Sequence, residues 1–187
     1  MSNLKIIQLL PELNIGGVER GTKDFSKVLV NKGHRSIVIS NGGIFEKDII
    51  NDGGEHIKLP IHKKTLYSLF LSNQLKSIYE REKPDIVHVR SRMPAWINFL
   101  AFKKMPIKPL LVSTFHGLYS TPFYSQVMAK VDHTIAISNT VKNYIIDKYK
   151  ISESMITTIP RGCDANTFNR EPAPEDWVAQ WNREHPQ

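Results

Sequence analysis

Gly16 and Gly17 stand between the apolar run Leu4–Leu10 and a stretch with helical apolar spacing. Adjacent glycines there leave the first backbone N–H groups of a helix bare, and such groups attract anions, phosphate above all. Arg90 and Arg92 straddle Ser91. A guanidinium pair can clamp a phosphate or carboxylate through parallel hydrogen bonds. His116 follows Thr114-Phe115 and precedes Gly117, which sets an imidazole where the backbone can bend. An imidazole so placed can move a proton or donate a hydrogen bond. Arg161, after Pro160, adds another cation of the same kind.

These residues fit no common phosphate motif in full. Gly16 and Gly21 have the gap of a P-loop, but Thr22 precedes Lys23 where lysine should come directly. The dinucleotide fingerprint fails as well, because the glycines are adjacent and the second strand runs out in Ser40-Asn41 without an acid. None of the seven histidines pairs at metal-ligand spacing, no cysteine cluster exists, and Asp-x-Asp is absent. No metal site is therefore expected. Ser138 lacks the G-x-S-x-G surroundings of a nucleophile and reads as a helix N-cap. Taken singly, the glycines could be a ligand-free turn and the arginines a solvated pair.

The elements that must position them follow from periodicity. Leu4–Leu10 reads as a strand covered on both faces, stopped by Pro11. The helix opening at Gly16-Gly17 carries Val18, Phe25, Val28 and Leu29 on one face, with Gly33 as its left-handed stop. Strands are expected over 37–39, 57–59, 85–89, 110–115, 133–137 and 157–159. Helices are expected over 46–51, 66–81, from Pro94 with Trp96, Ile97, Phe99 and Leu100 inward, over 139–149 and over 175–184. Such alternation implies an α/β fold: a Rossmann-like, doubly wound, mainly parallel sheet of about seven strands with helices on both faces. Right-handed crossovers then put Gly16-Gly17, Arg90-Ser91-Arg92, His116-Gly117, Ser138-Asn139 and Arg161-Gly162 along the one edge where such sheets bind ligands.

Composition narrows the classes. With 187 residues, 41% hydrophobic and 23% charged, the chain reads as an ordinary globular domain. Lysine plus arginine exceed aspartate plus glutamate by 25 to 18, a formal charge of +7 that favours anionic partners. Lysines and aromatics do not interleave in a nucleic-acid motif, so no nucleic acid is expected. The single cysteine, Cys163, excludes an intrachain disulfide and fits a reducing compartment. The first residues run straight into a core strand, which leaves no room for a signal peptide.

In order and spacing, the strand into GGVER, then RSRMPAW, TFHGLY, VMAKVDHTIAIS and MITTIPRGCDANTF resemble group-1 (family 4) glycosyltransferases of GT-B fold, in particular the lipopolysaccharide-core branch. The resemblance spans Leu4 to about Phe168, the family's N-terminal domain. It implies two Rossmann-like domains facing a cleft, retention at the transferred sugar, a nucleotide-sugar co-substrate, and no cofactor or essential metal. Residues 1–169 would be the acceptor-side domain and 170–187 a linker with a terminal helix. The donor-binding C-terminal domain, with its glutamate pair, lies outside this sequence, so the chain alone is expected not to turn over. His116 would sit beside the reacting sugar as the catalytic candidate, and Gly16, Gly17 and Arg161 would line the donor-diphosphate cleft. Arg161 stands where many relatives have asparagine. Arg90, Arg92, Gly117 and Ser138 would hold the acceptor, a glycolipid or oligosaccharide. Glu19 reads as a first-turn partner of the helix dipole. The location implied is cytoplasmic, with peripheral contact to an anionic membrane. The competing reading is a non-enzymatic doubly wound module for a phosphorylated ligand.

Overall fold

A computed structural model describes residues 3–63, 70–119, 122–162 and 174–185. Seven strands form one all-parallel sheet: β1 (Lys5–Leu9), β2 (Arg35–Ser40), β3 (Glu55–Lys58), β4 (Ile86–Val89), β5 (Leu110–Phe115), β6 (His133–Ala136) and β7 (Ile156–Thr158). The helices are α1 (Gly17–Asn31), α2 (Glu46–Asn51), α3 (Leu71–Glu82), α4 (Arg92–Phe102), the short α5 (Pro122–Ser125), α6 (Asn139–Tyr149) and α7 (Glu175–Glu184). Strand order is β3-β2-β1-β4-β5-β6-β7. The order reverses between β1 and β4, where Ile7 pairs with Val87 and Gln8 with His88. Loops after those two strands diverge and open a crevice at their carboxyl ends.

Alternation along β1 divides the core. Ile7 and Leu9 face the larger cluster, with Val87, Val89 and the α3 residues Leu75 and Tyr79. Gln8 faces the other side, where the loop residues Leu10 and Leu13 bury themselves with Val38 and Ile49. That smaller cluster pins the loop leading to the glycines. Leu13 donates its N–H to Gly42 O at 2.9 Å, and Phe45 N–H donates to Leu13 O at 3.0 Å. Gly43 allows this approach: its φ is +145°, and a Cβ there would run into the Leu13 backbone.

The face of α1 differs from the expected one. Thr22, Ser26 and Leu29 are its buried residues, while Phe25 and Val28 remain partly exposed. The sheet beneath is polar, and short side chains suit it. Gln8 Nε2 donates to Thr22 O at 3.2 Å, and the Ser26 and Ser36 hydroxyls bond at 2.8 Å. Buried His88, 2.7 Å from the Thr114 hydroxyl, meets Phe25 edge-on. On α4, Ile97 is buried as expected, but Trp96, Phe99 and Leu100 are only half-buried. Met93, Ala95, Ala101 and Phe102 take the inner positions. The start expected for α3, 66–69, lies outside the described residues, and its buried stripe Leu71, Leu75, Ile78 and Tyr79 is present. Trp177 and Trp181 of α7 are exposed and stack on each other.

Candidate functional site

Each expected strand-end station lies at the carboxyl edge, and three cations converge on the crevice. Arg90 leaves β4 nearly enclosed, 9% exposed, because its N–H continues the ladder to Leu9 O at 2.9 Å. Its Nη1 donates to Gln8 Oε1 at 3.0 Å. Burial pushes the guanidinium down to about 10, helped by the charge of Arg161 and opposed by Glu19. It stays protonated at neutral pH, and its Nε is buried with no partner among the described residues. A buried cation with a spare donor is costly unless an anion completes it.

His116 stands at the end of β5. Its Nδ1 lies 2.9 Å from Arg161 Nη2. Its Nε2 is buried without a partner among the described residues. Burial, then Arg90 and Arg161, lower its titration to about 3, so the ring is neutral at physiological pH. The same Arg161 guanidinium rests against Gly17, where a Cβ would overlap Nη1. A Cβ on Gly16 would likewise overlap the Glu19 carboxylate. The start of α1 is therefore covered by a cation on one glycine and a carboxylate on the other.

Arg92, in the first turn of α4, lies over the rings of Tyr119 and Tyr124 at 5.0 and 5.4 Å. Trp96 Nε1 donates to Tyr124 O at 2.9 Å, so the tryptophan of RSRMPAW holds the segment that Arg92 packs on. Val18, Glu19, Arg90, Arg92, His116 and Tyr119 are among the residues around a cavity of about 190 Å³. A larger hollow of about 600 Å³ lies at the opposite edge, by Lys103, Leu110 and Lys130, and contains none of these residues. Arg90 and His116, each with a buried donor unpartnered among the described residues, line the smaller one.

Ser138 and Gly117 make no side-chain contact with the arginines of the crevice in the contacts described. Ser138 caps α6, accepting from Val141 N–H at 3.2 Å. Gly117 has open space where a side chain would be. Gln8, Glu19 and Tyr119 belong to the site without having been read as ligand-binding. Gln8 alone carried a signal, a polar residue inside an apolar strand. Among the described residues no group of three or more His, Cys, Asp or Glu could hold a metal. None of their helices is long and apolar enough to cross a membrane.

The fold and the crevice define a class: a doubly wound parallel α/β domain, in which ligands sit at the switch point by the carboxyl ends of the strands. The match to the family model for Glycosyltransferase Family 4 runs over residues 15–167, and the chain belongs to that family. A glycosyltransferase from Rickettsia africae superposes with a TM-score of 0.78 at 32% identity, covering 98% of this chain and 50% of that one. Anabaena HepE, solved in complex with UDP and glucose, superposes with a TM-score of 0.67 at 16% identity over 97% of this chain and 50% of that one, a likeness of fold. One component of the human phosphatidylinositol N-acetylglucosaminyltransferase is 25% identical over 175 residues, 85% of this chain and 36% of its own length. The chain thus spans about half of these solved structures and about a third of the human relative.

Proposed function

We propose that this domain is the acceptor-side half of an enzyme that moves a hexosyl group from a nucleotide-sugar to a glycolipid or oligosaccharide with retention of configuration. The observation that carries the reading is the switch-point crevice, where the charges of Arg90 and Arg161 act on His116, Arg161 lies against Gly17 at the start of α1, and His116 Nε2 is buried without a partner among the described residues. Breaking the bond from the anomeric carbon to the diphosphate leaves negative charge on the leaving oxygens. Fixed guanidinium groups and helix N–H groups stabilise that charge without reorganising. Arg90, which the resemblance implied to be an acceptor residue together with Arg92, is here assigned to the diphosphate because its buried charge acts on His116. Arg92 would hold an anionic group of the acceptor. A second, donor-binding domain would complete the cleft. Lipopolysaccharide or cell-envelope glycan synthesis is the setting supported by the RSRMPAW and IPRG stretches, and a lipid acceptor is in keeping with the human relative's name.

The test is transfer by a polypeptide joining this chain to its donor-binding half, supplied with nucleotide-sugars and lipid-linked oligosaccharide. A glycosylated product with the donor's anomeric configuration is expected. Hydrolysis without transfer, or an inverted product, would contradict the reading. The charge of +7 supports a peripheral, cytoplasmic-face location. Binding to vesicles with an anionic lipid should therefore exceed binding to neutral ones and weaken on going from about 0.05 to about 0.5 M salt. Equal or salt-independent binding would argue against it.

A further inference from the structure

We infer that Arg161 is a positioning residue for His116: it holds Nδ1 as an acceptor, keeps the ring proton on Nε2, and so presents an N–H donor to the crevice. The chemistry of the pair sets the tautomer. A guanidinium has only donors, so the 2.9 Å bond from Arg161 Nη2 requires an unprotonated Nδ1. A neutral ring then carries its hydrogen on Nε2, the atom that is buried and unpartnered among the described residues. Protonating Nδ1 would break this bond and set two cations against each other. The ring cannot readily act as an acid or a base under that constraint. It can donate a hydrogen bond to a hydroxyl or phosphate oxygen.

The backbone is shaped for the arrangement. Arg161 reaches His116 while lying against Gly17 in the first turn of α1, where a methyl group would collide with its Nη1. This gives the second glycine of the pair a specific task beyond exposing N–H groups. It also links three strand ends, those of β1, β5 and β7. Other charged or titratable groups face the ring as well. Arg90 and His88 come from β4 and its end, Arg92 from α4, Glu19 from α1, and Tyr119 from the same loop, its hydroxyl 3.5 Å from His116 N. Arg90 also disfavours a charged ring, so removing Arg161 alone should release only part of the effect.

The inference rests on the transferase reading for what Nε2 meets, and the experiment separates the two. The His116 ring is followed by nitrogen NMR against pH in the ligand-free chain, in wild type, Arg161→Ala, Arg161→Lys and Arg161→Glu. The wild-type ring should stay neutral, with hydrogen on Nε2, across pH 5–8. Arg161→Ala should raise the midpoint by about one pH unit, and Arg161→Glu by about two to three, because a carboxylate accepts from a protonated Nδ1. Arg161→Lys, which keeps a donor, should stay near wild type. Gly17→Ala should resemble Arg161→Ala, since it displaces the guanidinium without removing it. One midpoint shared by wild type, Arg161→Ala and Arg161→Glu would overturn the inference, as would a wild-type ring protonated on Nδ1. A separate arm adds UDP. If the Nε2 signal ignores UDP while the Arg161 series behaves as described, the donor-site reading fails and the positioning role stands.

Discussion

His116→Ala should lower the turnover of the two-domain enzyme by about 10²-fold while changing donor affinity little. The ring is neutral in the folded protein, so what the substitution removes is a fixed N–H, not a proton reservoir. A donor aimed at charge that appears only in the transition state affects the chemical step more than ground-state binding. Loss of the imidazole also leaves Arg161 without its acceptor at Nδ1, which loosens a cation at the crevice. His116→Gln, which keeps an N–H donor of similar reach, should recover part of the rate. Steady-state kinetics with the donor and acceptor varied separately would check both variants. A near-normal turnover number for the alanine variant would make His116 a packing residue.

Arg90→Met should separate binding from folding. Methionine approximates the length of the arginine stem and removes a cation that is nine-tenths buried. Replacing a buried charge by an apolar side chain of similar volume is often neutral or stabilising. Here Gln8 Oε1 also loses its donor, a cost of about 1–3 kcal/mol that works the other way. The expected net change in stability is within about 1 kcal/mol, a small shift in Tm. Binding of UDP, by contrast, should weaken by about 10- to 100-fold, the worth of one charge-assisted hydrogen bond to phosphate. Thermal unfolding and calorimetric titration on the same preparation would read both. Unchanged UDP affinity would take Arg90 out of the donor-diphosphate site and leave it only the acceptor-side role expected from the sequence.

The sheet was legible because most strands have an apolar centre and are closed by proline, glycine or a polar loop; the bounds of the more polar edge strand β3, Glu55–Lys58 instead of 57–59, were not. The matches in span for β5, α2, α6 and α7 have local causes. In α6, Ser138 caps one end, and Lys150, left-handed at φ 55°, closes the other. The inward face of α1 was not legible, since its partner is a polar stretch of sheet that favours Thr22 and Ser26 over Phe25 and Val28. Helix α5 has only four residues, too few to show a period. At the site, the strand-end rule located the residues but not their pairings. Arg161 and His116 are 45 residues apart, and Arg90 and Gln8 are 82 apart. Those contacts depend on strand order, and periodicity along one chain carries no information about which strands become neighbours. Gln8 stood out as a polar residue in an apolar strand, but its partner Arg90 is identified only once β4 lies beside β1.

The crevice between the β1 and β4 ends is where the proposed function puts the donor diphosphate. The direct measurement is a titration of UDP into this chain, followed at each backbone amide by NMR. One half of a cleft should bind weakly, with Kd about 1–10 mM. The largest shifts should fall on Gly16, Gly17, Val18, His116 and Gly162, and Arg90→Met should suppress them. Shifts confined to the Lys103 and Lys130 hollow at the opposite edge, or no shifts at about 50 mM UDP, roughly five times the weakest Kd expected, would contradict it.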